Sequence, residues 1–151
     1  NIDWGADSSD RGLALTESVI VTGSSALPDG LKSNGLPVHF KLIGSTLVGY
    51  VGNEPAALTP PYPDIVLFLT VDAAASNCDF TLLAPLDHPA PNGSLHFVDL
   101  TFSYIATDGD TDQAPGTFTV KVDAAGTIGS INYLGLPTGV FINLAVHCAV
   151  Y

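Results

Sequence analysis

Basic residues are scarce in this chain. Lys and Arg together number 4, against 15 Asp and Glu, a formal charge of −11. Phosphate contacts need Lys and Arg, so this balance excludes a nucleic-acid binder. It equally excludes adsorption to an anionic membrane surface. Long apolar runs are also missing, which leaves no segment to span a bilayer as a helix. The opening N-I-D-W-G-A-D has neither the basic start nor the apolar stretch of a signal peptide. The expectation is a mature product, a domain cut from a longer chain, or export by another route. Cysteine occurs twice, at Cys78 and Cys148, with no metal-type spacing such as C-x-x-C. Nucleophile elbows of the G-x-S-x-G type and phosphate-binding glycine loops are absent. His39, His88, His96 and His147 form no metal pattern with a neighbouring ligand. No catalytic residue is assigned, and the expectation is a protein that is not an enzyme.

Apolar residues make up 46% of 151, enough for one ordinary domain, residues 1–151, with a real core. Helix signals are nearly absent. Instead, 15 Gly and 11 Pro punctuate short segments that read as strands. These are 19–22, 37–43, 46–51, 65–71, 79–83, 95–107, 116–122, 127–134 and 140–151. The alternation is clearest in 95–107, where Val98, Leu100, Phe102 and Tyr104 share one face. Segment 65–71, I-V-L-F-L-T-V, is apolar on both faces, as a central strand is. About nine short strands predict an antiparallel β-sandwich of Greek-key, Ig-like type. Proline-rich pieces at 54–63 and 85–91 read as rigid ordered loops, because strands flank them.

Three features offer chemistry. The first is A-T-D-G-D-T-D, with Asp108, Asp110 and Asp112 at alternate positions. Carboxylates so spaced on a turn can converge on a calcium ion, and Gly109 permits a sharp bend. The competing reading is a solvated acidic turn. The second is an N-terminal cluster of Asp3, Asp7 and Asp10, which can share that pole of a sandwich or build a second site. The third is the cysteine pair. Cys148 lies on the apolar parity of the last strand, and Cys78 shares parity with Phe80 and Leu82. Both then point into one core, either as a disulfide or as two buried thiols. Trp4, Tyr50, Tyr62, Tyr104, Tyr133 and Tyr151 read as packing residues, with a sugar-stacking platform as the alternative.

Several blocks resemble the tandem repeats of giant RTX-type bacterial adhesins exported by type I secretion. F-T-L-L-A-P-L-D-H-P, residues 80–89, is similar to that family's F-x-L-x-G-P-L-D-H-P signature. An alternating strand, the acidic loop and a further strand, G-T-F-T-V-K-V, follow in the family's order. Upstream, G-L-K-S-N-G-L-P-V resembles its G-L-T-S-G-G-x-P-V stretch, and D-W-G-A-D its F-G-A-D start. The resemblance runs to about Val122. It implies a calcium-rigidified β-sandwich module on the bacterial cell surface, acting in adhesion and biofilm as an extender or ligand-presenting domain. It implies Asp108, Asp110 and Asp112 as structural calcium ligands, and Asp87, His88 and Pro89 as a structural turn. The acidic loop here is one residue shorter than the family pattern, and a β-rich tail continues past the last matched strand. The expected partners are neighbouring copies or domains of the same protein, and a glycan or peptide on another surface. The alternatives are a self-assembling filament or matrix subunit that exchanges its terminal strand, and a glycan- or peptide-binding tip.

Overall fold

The computed structural model describes residues 11–22, 30–73, 77–87, 97–123 and 144–149. All regular structure in them is β. Three strands, β1 (Gly12–Thr22), β8 (Phe97–Thr107) and β9 (Gln113–Asp123), form one antiparallel sheet in the order β1-β8-β9. A second sheet contains β4 (His39–Ile43), β5 (Thr46–Tyr50), β6 (Ile65–Asp72), β7 (Asn77–Leu82) and β10 (Leu144–Ala149). Its order is β10-β7-β6-β5-β4, an antiparallel four-strand meander to which β10 returns after the chain has passed through the other sheet. Two short strands, β2 (Lys32–Ser33) and β3 (Leu36–Pro37), make a small hairpin between the layers' first strands.

The two larger sheets face each other over one apolar core, which makes the fold a β-sandwich. From β8 the core takes Val98, Leu100, Phe102, Tyr104 and Ala106, all on one parity. Val120 and Val122 of β9 and Leu15 of β1 extend that layer. The opposing layer supplies Leu47, Leu67, Leu69, Cys78, Phe80 and Leu82. Phe80 and Phe102 meet between the sheets with ring centres 6.1 Å apart, and Phe118 lies 5.6 Å from Phe102. Phe80 and Phe102, both fully buried, each contribute about 1.5–3 kcal/mol of apolar transfer, and the half-buried Phe118 less. Gly116 stands opposite Tyr104 in register, and a Cβ there would lie 2.3 Å from the Tyr104 ring. Glycine at this position lets the ring lie across β9, and burial pushes the Tyr104 hydroxyl pKa up.

Several strands differ from their expected bounds. β1 begins seven residues before Val19, because the polar run Thr16-Glu17-Ser18 is absorbed as a bulge between Leu15 and Val19. Glu17, freed from the ladder, accepts the Leu42 N–H at 2.8 Å and so caps a donor of edge strand β4. Pro37 belongs to β3, and β4 starts only at His39. β9 reaches back through Pro115, which a strand tolerates at a sheet edge. The expected strand 127–134 lies outside the described residues. Among the described residues no helix is long and apolar enough to cross a membrane.

Candidate metal site

The acidic loop closes the β8–β9 hairpin. Asp108 and Asp112 form its base: the Asp108 N–H donates to the Asp112 carbonyl at 3.1 Å. The Thr111 N–H donates back to the Asp108 carbonyl at 3.1 Å, closing a turn over Gly109 and Asp110. The Asp112 N–H donates to Asp108 Oδ1 at 3.0 Å. The left-handed residue is Thr111, at φ 74°, while Gly109 has no positive φ. The bend therefore does not use the freedom of its glycine. A turn followed by one left-handed residue is a standard three-residue hairpin, but a β-branched residue in that place is strained.

This geometry brings Asp108, Asp110 and Asp112 together. One carboxylate oxygen from each lies within 4.8 Å of the others. Two ligands on opposite sides of a calcium ion, each about 2.4 Å away, span about that distance. The donor set is all oxygen, which suits a hard cation such as calcium and not a thiolate- or imidazole-seeking metal. The carboxyls crowd one another. The hydrogen bond shared with Asp110 pushes the Asp108 pKa up, helped by desolvation and the Asp110 charge. The same bond holds Asp110 down. Of the two, Asp108 is thus the first to take up a proton as pH falls, and a proton on it competes with a cation for the site. Asp3 and Asp7, and Asp10 beside them, lie outside the described residues.

The resemblance-bearing blocks meet elsewhere in the fold. Asn34-Gly35 turns the β2–β3 hairpin with φ of 51° and 80°, the left-handed pair that an N-G turn favours. Asp87 clasps this turn from 52 residues away: the Asn34 N–H donates to Oδ1 at 2.8 Å and the Gly35 N–H to Oδ2 at 2.6 Å. The Asp87 N–H donates to the Lys32 carbonyl at 2.8 Å, and the buried Ser33 hydroxyl to the Pro85 carbonyl at 2.7 Å. The L-D-H-P block thus fastens the S-N-G-L block through one carboxylate. His88 and Pro89 lie outside the described residues. Asp87→Ala removes both charge-assisted bonds and is expected to cost about 1–2 kcal/mol, discounted for partial exposure. A thermal melt should show Tm lower by about 2–8 °C, with Asp87→Asn in between. An unchanged Tm for both variants would remove the clasp from the account.

Cys78 is disulfide-bonded and fully buried in the core. Cys148, the chain's other cysteine, stands directly opposite it in the β10–β7 ladder. Of the aromatic residues, Tyr50 and Tyr104 are buried and Tyr62 is half-buried. Trp4, Tyr133 and Tyr151 lie outside the described residues. The β2–β3 hairpin was missed in the sequence reading, although its Asn34-Gly35 dipeptide is a signal that could have located it; Glu17 and its reach to β4 carried no signal. No family model, curated protein or solved structure matches the chain.

Proposed function

We propose that this chain is a non-enzymatic extracellular module of a bacterial adhesin or surface fibre, stabilised by calcium. The observation that carries the reading is the convergence of three carboxylates on a strained hairpin turn at one end of a sandwich. Strain at a turn is retained where a ligand rewards it. The clasp between Asp87 and the N-G turn supports the reading from a second side, since it binds together the two blocks through which the chain resembles adhesin repeats. The ion's role is structural: it would pin the end of the longest hairpin of the three-stranded sheet, β8–β9, with Asp108, Asp110 and Asp112 as ligands. The module serves as an extender or a ligand-presenting domain.

The test is a calorimetric titration with calcium. The wild-type chain should take up calcium at this loop with a Kd of about 0.1–1 mM, the range of extracellular modules. Asp108→Asn/Asp110→Asn should lose that binding and stay folded. Identical titrations for the two chains would refute the assignment.

A further inference from the structure

The loop joining β5 to β6 is long, and it is built rather than merely spanned. Its ends are tied by the Val51 N–H donating to the Asp64 carbonyl at 2.9 Å. One side is anchored by the Lys41–Glu54 ion pair, with the Tyr50 hydroxyl 3.5 Å from Glu54 Oε2. The other side is anchored by the Tyr62 ring, edge-on to Phe68 of β6 at 6.1 Å. Compact loops with closed ends are frequent carriers of function. This one encloses an open cavity of about 250 Å³. Pro55, Pro61, Pro63 and Tyr62 supply apolar lining, and Asn53, Glu54, Thr59 and Asp64 the polar groups.

We propose that this cavity binds a cationic side chain, lysine or arginine, presented by a partner peptide. The volume lies below that of a drug-sized site and suits a single side chain. Proline rings accommodate an aliphatic stem, and the aromatic ring of Tyr62 beside them suits the cation at its end. The head group would meet Asp64. Of the loop's two carboxylates, Glu54 is committed to Lys41 and Tyr50, whereas the Asp64 side chain takes no hydrogen bond among the described residues. The nearby cation, Lys41, is engaged by Glu54, and no Lys or Arg is among the residues lining the cavity to recruit an anionic ligand. A chain of charge −11 also steers basic partners toward itself. The inference rests on the ligand-presenting half of the proposed function and not on calcium. A chain that fails to bind calcium leaves it standing, and its own failure leaves the calcium loop untouched.

The experiment is an amide NMR titration of the full chain with acetyl-Gly-Lys-Gly-amide, its Arg and Gln counterparts, and a neutral hexose. The Lys and Arg peptides should shift amides of residues 53–65 and bind about tenfold tighter than the Gln peptide. Asp64→Asn should abolish that preference, Tyr62→Ala should weaken both cationic peptides, and added salt should do the same. The dispersed spectrum of each variant reports that it is folded. The proposal is overturned by equal binding of the Lys and Gln peptides, by no binding of either, by a preference that survives Asp64→Asn, or by hexose binding without peptide binding.

Discussion

Replacing Cys78 and Cys148 together by alanine is expected to lower Tm by about 8–16 °C. The bond joins strands that are neighbours in space but separated in sequence by a loop of roughly 70 residues. In the chain-entropy model, closing a loop of that length stabilises the folded state by about 4 kcal/mol. For a domain of this size each kcal/mol moves Tm by about 2–4 °C. Alanine is the right replacement because Cys78 is fully buried, and a serine hydroxyl there would add its own desolvation cost. A double variant melting within about 2 °C of the parent would mean that the bond carries little of the stability. The same bond bears on self-assembly. Among the described residues β10 lies at a sheet edge, paired with β7, which is the place from which a terminal strand could move to a neighbouring copy. A disulfide to β7 holds it home. Strand exchange through β10 therefore requires the reduced or alanine-substituted chain. Size-exclusion chromatography should show any exchanged dimer in those forms alone.

Sequence patterning located most of the sandwich because its central strands bury one or both faces. In β8, residues 98, 100, 102, 104 and 106 are buried in unbroken alternation, and the sequence shows the same period. β6 reads as apolar on both faces from Ile65 to Leu69 and lies in the middle of its sheet. Reading failed where a tertiary contact replaced local pattern. The first half of β1 was hidden by Thr16-Glu17-Ser18, whose polarity is explained by a bulge and by a donor on another sheet. The start of β9 was hidden by Pro115, which only an edge position permits. At the candidate metal site, the spacing of the aspartates was legible but the backbone solution was not. Gly109 attracted the assignment of the bend, while the strained position is Thr111, a residue with no turn propensity to announce it. The clasp by Asp87 was invisible for a simpler reason. Its partners are backbone N–H groups far away in sequence, and no residue type signals that a backbone donor is waiting.

In 10 mM calcium the chain is expected to melt about 3–10 °C above its Tm in excess chelator at neutral pH. A ligand that binds only the folded state stabilises it by RT ln(1 + [L]/Kd). With Kd of about 0.1–1 mM this gives about 1.4–2.7 kcal/mol, and the conversion to temperature follows the same scaling as above. The increment should depend on pH, and its sign can be worked out from the two coupled carboxyls. Asp108 has its pKa raised by the bond to Asp110. Its contribution is therefore present below the ordinary aspartate range and lost as pH rises through the raised value. Asp110 has its pKa lowered by the same bond, so its contribution is present above that range and lost as pH falls through the lowered value. In chelator the two act in adjoining pH windows, so the loop's own contribution peaks in the ordinary aspartate range and declines on either side. Calcium requires all three carboxylates ionised, so protons compete with it, first at Asp108, and its effect fades in acid. The calcium increment in Tm should thus vanish toward about pH 3 and reach its plateau by about pH 6. Asp108→Asn/Asp110→Asn should flatten it to zero at every pH. A calcium increment that persists undiminished at pH 3, or in that variant, would place the ion on other ligands and return A-T-D-G-D-T-D to an acidic turn.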